Sequence, residues 1–199
     1  MTRGALFLYS TSPSPHESQI LASVRRRPVS AVALRAAQDS PTADDLDQLC
    51  DHFCTTPVPV TLVDSGLDSR ADASAPDVLD RLRAADLVLI SGGSPTRLCE
   101  VTLGTPALDV LRTAHDNGTV IAACSAGAAV LGAGMIDGKQ VLHTWSWLTR
   151  TLVAPHFGAY DHTPWLNAFP DHHLLAIPDG TMILIDPTGR TTTLEQPSA

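Results

Sequence analysis

Short apolar runs alternate with amphipathic segments over the first two thirds of the chain. The apolar runs predict strands at residues 5–9, 29–34, 57–63, 86–90 and 119–122. Helical patterns lie near residues 17–24, 42–54, 76–85 and 106–116, with a further helix opening at Pro95. Strands that are apolar throughout are typical of a parallel sheet covered on both faces. We therefore expect a doubly wound, mostly parallel α/β sheet with helices on both faces.

The last third of the chain has a different pattern. After about residue 134 the helical periodicity weakens, and proline, glycine, tryptophan and histidine become common. Residues 182–195 predict a C-terminal β-hairpin that turns at Pro187, Thr188 and Gly189. The chain shows no repeat and no linker, so we expect one domain over residues 1–199.

Composition and charge exclude several classes of protein. With 44% apolar residues, a net charge of −8 and no basic block beyond residues 25–27, nucleic-acid binding is not expected. The apolar run near the start falls short of both a signal peptide and the about 20 residues of a membrane span. We expect a cytoplasmic protein with reduced thiols. The four cysteines lack the paired spacing of zinc sites, and we expect no metal and no cofactor.

One sharp corner suggests chemistry. In the sequence NGTVIAACSAGAAVLG, residues 117–132, strand formers give way to small residues and then to helix formers. A serine on such a turn is held exposed at the edge of the sheet, in the pattern G-x-S-x-G. Here the pattern reads Ala123-Cys124-Ser125-Ala126-Gly127, with alanine at the first glycine. Ser125 fits it better than Cys124, and a packed corner without chemistry remains the alternative.

Two glycines follow the preceding strand in the sequence LVLISGGSPTRL, residues 87–98. The backbone N–H groups of Gly92 and Gly93 can face an anion because no Cβ is in the way. Together with the N–H of Ala126 they would form an oxyanion hole. An ordinary glycine turn is the alternative.

A base and an acid for the serine come later in the chain. His156, in TLVAPHFGAYDH, follows a β-rich run, and Asp179, in LLAIPDG, follows another. Two strand ends that supply these groups beside Ser125 would make a triad in the order Ser, His, Asp. Asp161 is held in reserve as the acid.

These motifs, in this order and spacing, resemble the family of aspartyl dipeptidase (peptidase E) and cyanophycinase, from about residue 85 to 185. The resemblance implies a fold like that of class I glutamine amidotransferases. It also implies that Ser125 is the nucleophile and His156 the base, with Gly93 and Ala126 as oxyanion donors. Asp179 stands where the family usually has glutamate. We expect a serine peptidase that acts on short peptides, and a homodimer is left open.

One departure from the family concerns specificity. Aspartyl dipeptidase holds the substrate's carboxylate with an arginine between the histidine and the third acid, whereas residues 157–178 contain no Arg or Lys. The neutral histidines of this segment would hold a carboxylate more weakly than a bidentate guanidinium does. They are His162, His172 and His173. We therefore do not expect strict Asp-X specificity. An apolar subsite could instead use the tryptophans: Trp145, Trp147, Trp165.

Three other interpretations remain open. An α/β-hydrolase esterase would use the order Ser, acid, His, which Ser125, Asp161 and His172 or His173 satisfy. A metal site could draw on the crowded segment 156–173, although it lacks the usual ligand spacing: His156, Asp161, His162, Asp171, His172, His173. A family member that has lost activity would keep the fold for binding.

Overall fold

The computed structural model describes residues 2–13, 15–39 and 43–195. The described residues form the following strands: β1 (Leu6–Tyr9), β2 (Val29–Leu34), β3 (Val60–Asp64), β4 (Leu87–Ile90), β5 (Val120–Cys124), β6 (Gly134–Asp137), β7 (Gln140–His143), β8 (Thr151–Pro155), β9 (His173–Ile177), β10 (Thr181–Ile185) and β11 (Thr191–Glu195). Their helices are α1 (Glu17–Ala22), α2 (Ala43–Phe53), α3 (Pro76–Ala84), α4 (Pro95–Thr102), α5 (Pro106–Asp116), α6 (Ala126–Ala129) and α7 (Thr163–Ala168).

The main sheet has the strand order β11-β10-β1-β5-β4-β2-β3 within the described residues. β1, β5, β4, β2 and β3 run parallel, whereas β10 is antiparallel to β1 and β11 is antiparallel to β10. This confirms the predicted α/β fold with a mostly parallel sheet. The antiparallel pair β10–β11 is the predicted C-terminal hairpin.

Apolar clusters cover both faces of this sheet. In β1, Leu6 and Leu8 join one cluster, while Phe7 and Tyr9 join the other. Successive side chains of a strand point to opposite faces, which explains why these strands are apolar throughout. Helices α3 to α6 cover the first face, and α1 and α2 cover the second.

The segment after residue 130 holds the two β-rich runs predicted before His156 and Asp179, and further elements that the sequence pattern did not predict. β6 and β7 form a separate antiparallel hairpin, and β8 and β9 form a separate parallel pair. Helix α7 buries none of its residues, and β7 is mostly exposed, so neither leaves a periodic apolar signal.

Two further expectations concern the start of helix α2 and the presence of a membrane span. Thr42, the predicted first residue of the helix at 42–54, lies outside the described residues. No helix in the described ranges is long and apolar enough to cross a bilayer.

Candidate active site

Ser125 lies at the strained corner between β5 and α6. β5 runs between β1 and β4, near the middle of the sheet. The N–H of Ser125 donates to the carbonyl of Tyr9 at 2.8 Å, and its own carbonyl accepts from the N–H of Ala129 at 2.9 Å, which begins the helix. Its φ of 47° and ψ of −113° are rare for a residue with a side chain. The corner therefore holds the hydroxyl at the carboxyl edge of the sheet.

The small residues on either side of Ser125 are required for different structural reasons. A Cβ on Gly127 would lie 2.9 Å from the carbonyl oxygen of Ile90 and 3.0 Å from that of Ser91, so α6 can pack on the end of β4 only with glycine there. Ala123 is fully buried in β5, where it pairs with Leu8 and Ile90. That is an ordinary strand position, which explains why alanine serves where the usual pattern has glycine.

The small sheet β8–β9 brings His156 and Asp179 together. Its register pairs Pro155 with Ile177, so the two functional residues follow the carboxyl ends of adjacent parallel strands. The Nδ1 of His156 lies 2.7 Å from Oδ1 of Asp179. Its Nε2 lies 3.0 Å from Oγ of Ser125.

These contacts fit one protonation state of the imidazole. When Nδ1–H of His156 donates to the Asp179 carboxylate, Nε2 is free to accept from the Ser125 hydroxyl. The side chains of His156 and Asp179 are 27% and 56% exposed, so the pair remains open to solvent on one side. The arrangement can remove a proton from the hydroxyl and return it to a leaving group.

Gly93 and Ala126 border the same cavity as Ser125. Gly93 has a φ of +136°, and a Cβ there would lie 2.3 Å from the carbonyl oxygen of Ala37. That oxygen accepts from the N–H of Ser94 at 2.7 Å, so the loop is fixed against residue 37. Ala126 is the first residue of α6. Backbone N–H groups at such positions can bind an oxyanion.

A cavity of about 500 Å³ adjoins Ser125 and His156. Two aspartates line it, Asp137 and Asp161, and no Arg or Lys from the described part of the chain does so. Its aromatic wall comes from Tyr160 and Trp165.

Asp161, the reserve acid, has other partners. Its Oδ1 accepts from the N–H of Thr163 at 2.9 Å, whereas the carboxylate on His156 is that of Asp179. Hydrogen bonds from the side chain and backbone of Thr163 lower the pKa of Asp161. Asp161 is therefore an anionic residue of the cavity wall.

The histidine that contacts the Ser125 hydroxyl is His156, whereas His162 lines the same cavity and, among the described residues, makes no hydrogen bond to Ser125. His162 is 6% exposed and packs against Phe157 and Trp165, with ring centroids 5.5 and 4.8 Å away, and burial lowers its pKa. His172 packs against Phe169, and His173 begins β9. The esterase order Ser, Asp, His is therefore not assembled. Among the residues that the structure describes, no three His, Cys, Asp or Glu side chains come together as a metal site requires.

The three tryptophans have different environments in the structure. Trp145 is buried, and its Nε1–H donates to Oγ1 of Thr102 at 2.8 Å. Trp147 stacks on His115 at a centroid distance of 5.3 Å. Of the three, Trp165 alone lines the cavity beside Ser125.

Cys124, next to Ser125, is a protonated thiol at neutral pH. Burial raises its pKa to about 11. Its Sγ lies 3.4 Å from the carbonyl oxygen of Thr11, to which the thiol donates. Since the thiolate is the reactive form of cysteine, burial makes Cys124 the poorer nucleophile, which favours Ser125 at this corner.

The sequence reasoning missed two contributors. Asp137 lines the cavity from β6 and accepts a hydrogen bond from Thr96. Ser10 contacts the backbone of His156. Ser10 directly follows an apolar strand, and the carboxyl ends of parallel strands meet at one edge, so that position was the available signal.

Comparisons with known proteins bear on the family and the fold of this chain. The model of peptidase family S51 matches residues 41–192. No curated protein matches the sequence. A peptidase from an acI-B1 Actinobacterium has a similar structure, with a TM-score of 0.80 and 18% identity over 98% of this chain and 88% of that one. A putative peptidase E from Listeria monocytogenes EGD-e has a TM-score of 0.69 and 15% identity over 98% of this chain and 100% of that one.

The two structural likenesses show the fold, and the family match extends over most of the chain. The predicted resemblance to peptidase E is thereby confirmed, and with it the prediction of a serine-type peptidase. The chain belongs to peptidase family S51.

Proposed function

We propose that this protein hydrolyses short peptides through an acyl-enzyme formed on Ser125. The observation that carries the proposal is the chain of contacts from Ser125 Oγ to His156 Nε2, at 3.0 Å, and from His156 Nδ1 to Asp179 Oδ1, at 2.7 Å. Both distances are within hydrogen-bond reach, which general base catalysis requires.

In the first step His156 takes the proton of Ser125 as the hydroxyl oxygen attacks the scissile carbonyl. Assistance of this kind accelerates a reaction by about 100- to 10,000-fold. Asp179 fixes the tautomer and stabilises the imidazolium that forms. His156 then protonates the leaving amine. Water next attacks the acyl-enzyme while His156 takes its proton, and His156 returns that proton to Ser125 as the acid product leaves.

The tetrahedral intermediate places a negative charge on the former carbonyl oxygen. We assign its donors to the backbone N–H groups of Gly93 and Ala126, since both residues border the cavity beside Ser125. Loss of one donor of this kind lowers kcat by about 100- to 1,000-fold.

The walls of the cavity favour substrates without an acidic side chain. Asp137 and Asp161 would repel a substrate carboxylate, and the described residues supply no cationic side chain to bind it. Tyr160 and Trp165 offer apolar surface instead. We propose that the acyl side of the substrate carries a neutral side chain, and that aspartate is not required.

The test is mass spectrometry of a mixed library of di- and tripeptides incubated with wild type and with Ser125→Ala. We expect cleavage by wild type alone, with neutral peptides lost before Asp-X peptides. If Ser125→Ala cleaves equally, Ser125 is not the nucleophile. If neither protein cleaves any peptide, the activity is absent and a binding role replaces it.

A further inference from the structure

Ser10 lies at the carboxyl end of β1, directly after Tyr9, and is 2% exposed. Its hydroxyl donates to the carbonyl oxygen of Ile177 at 2.7 Å. The same oxygen atom of Ser10 accepts from the backbone N–H of His156 at 2.9 Å. One buried hydroxyl thus connects the ends of β8 and β9 to the main sheet.

Tyr9, the residue before Ser10, contacts the backbone at Ser125. The carbonyl of Tyr9 accepts from the N–H of Ser125 at 2.8 Å. The end of β1 therefore contacts the backbone at Ser125, at His156 and at Ile177, two residues before Asp179. β8 and β9 belong to a separate small sheet, so their position relative to Ser125 depends on such connections.

His156 needs this support because its backbone is strained. Its φ is 54°, a conformation that side chains other than glycine rarely adopt. Without the Ser10 hydroxyl, its N–H would lose the partner that fixes it. Ile177 would keep a partner, since its carbonyl also accepts from the N–H of Phe157 at 3.1 Å.

We propose that Ser10 is a positioning residue of the peptidase, which fixes the backbone of His156 so that its ring reaches Ser125. The inference rests on the proposed function. Ser10 does not line the cavity beside Ser125, so it acts through His156 and not on the substrate.

The test substitution is Ser10→Ala, which removes the hydroxyl and adds no bulk. We expect kcat to fall by roughly 10- to 100-fold with KM nearly unchanged, because small displacements of a catalytic group cost rates of this order. The rate at which a fluorophosphonate modifies Ser125 should fall by a similar factor. Ser10→Thr keeps a hydroxyl and should restore most of both rates.

Ser65→Ala is the matched control. Ser65 is also fully buried after a parallel strand, and its hydroxyl accepts from the N–H of Leu67 at 3.2 Å. It follows β3, the edge strand that lies three strands away from β5 and Ser125. If buried serines matter only for folding, Ser10→Ala and Ser65→Ala should lose stability and activity together. We expect loss of rate per folded molecule in Ser10→Ala alone.

A second measurement separates positioning from folding. In a His156→Ala background there is no ring to position, so adding Ser10→Ala should not lower the residual rate of phosphonylation further. A further fall of the same size as in wild type would contradict the proposal. This comparison stands even if Ser10→Thr does not fold.

The outcomes distinguish this inference from the proposed function. If wild type cleaves no peptide and resists the fluorophosphonate, the proposed function is wrong, and the positioning role is wrong with it. If wild type is active and folded Ser10→Ala matches it in kcat and in phosphonylation, the positioning role alone is wrong.

Discussion

Asp179 is the residue that would fix the tautomer of the His156 imidazole. Its carboxylate is more than half exposed, yet it lies 2.7 Å from Nδ1 of His156. A carboxylate selects the tautomer in which Nε2 can accept the proton of Ser125, whereas an amide can select the other one. Within the described residues, the hydrogen bond of this side chain is with His156, so its role can be tested without disturbing the core.

We predict that Asp179→Asn lowers kcat by roughly 100- to 10,000-fold and leaves the unfolding transition unchanged. Steady-state kinetics and thermal unfolding measure the two effects. Asp161→Asn is the matched control, because it removes a carboxylate from the cavity wall beside Ser125 and leaves the carboxylate that contacts His156 in place. Unchanged turnover in Asp179→Asn, or an equal loss in Asp161→Asn, would show that the acid is misassigned.

Cys124 should be slow to alkylate in the folded protein. Since burial raises its pKa to about 11, the thiolate fraction at neutral pH is small, and it grows as the pH rises toward that value. We predict an iodoacetamide rate at Cys124 that still increases above pH 9, about where an exposed thiol levels off. Peptide mapping after timed alkylation measures it, and a plateau near the ordinary cysteine pKa would be incompatible with the burial described.

The elements around the corner explain why part of the site is readable from sequence. β5, α6 and the end of β4 consist of unbroken runs of apolar or small residues. The positions of Ser125 and Gly93 at the ends of strands can therefore be predicted from the local sequence. His156 and Asp179 follow strands whose pairing with each other joins residues far apart in the sequence. The sequence placed them at strand ends, but it contained no signal that β8 and β9 leave the main sheet.

The loop after β4 requires glycine at residue 93, which gives a prediction for that element. Gly93→Ala would place a Cβ 2.3 Å from the carbonyl oxygen of Ala37, so the backbone must shift and an oxyanion donor moves with it. We predict a fall in kcat of about 100- to 1,000-fold, measured by steady-state kinetics.

Gly138→Ala is the control for backbone strain. Gly138 also has a positive φ, of +60°, and borders the same cavity, but nothing lies within 4 Å of a Cβ built there. It should lose stability and keep most of its kcat. Equal losses of kcat in both variants would contradict the role given to Gly93.

Over the whole molecule, buried histidines should make stability depend on pH. Burial lowers the pKa of both His115 and His162, so the folded state binds fewer protons than the unfolded state. Stability is then complete above the ordinary histidine pKa of about 6.5 and is lost as the pH falls through and below it. The aspartates with lowered pKa act only in a more acidic range.

We predict that the free energy of unfolding in urea decreases between about pH 7.5 and about pH 5.5. His115→Asn should reduce that decrease, because the amide can still donate to the carbonyl of Thr119, as Nδ1 does at 3.1 Å, and cannot be protonated. Identical pH dependence in wild type and His115→Asn would contradict a contribution from His115.

At the same scale, the mostly parallel sheet was predictable because strands that are apolar throughout indicate a sheet covered on both faces. The C-terminal hairpin was predictable from the turn at residues 187–189, whereas the strand order was not predicted. The exposed elements β7 and α7 were not, because they bury little apolar surface. Ser10 was not predicted either, since its role arises only when β1, β8 and β9 meet. That residues 1–199 form one domain and that the protein is cytoplasmic remain predictions, and a homodimer stays open.

The site of covalent modification shows most directly whether His156 activates Ser125. Wild type, Ser125→Ala and His156→Ala are each treated with a fluorophosphonate, and the adduct is mapped by tandem mass spectrometry. We predict a single adduct on Ser125 in wild type, none in Ser125→Ala and greatly slowed modification in His156→Ala. Modification of another residue in wild type, or an equal rate in His156→Ala, would contradict a nucleophile at Ser125 activated by His156.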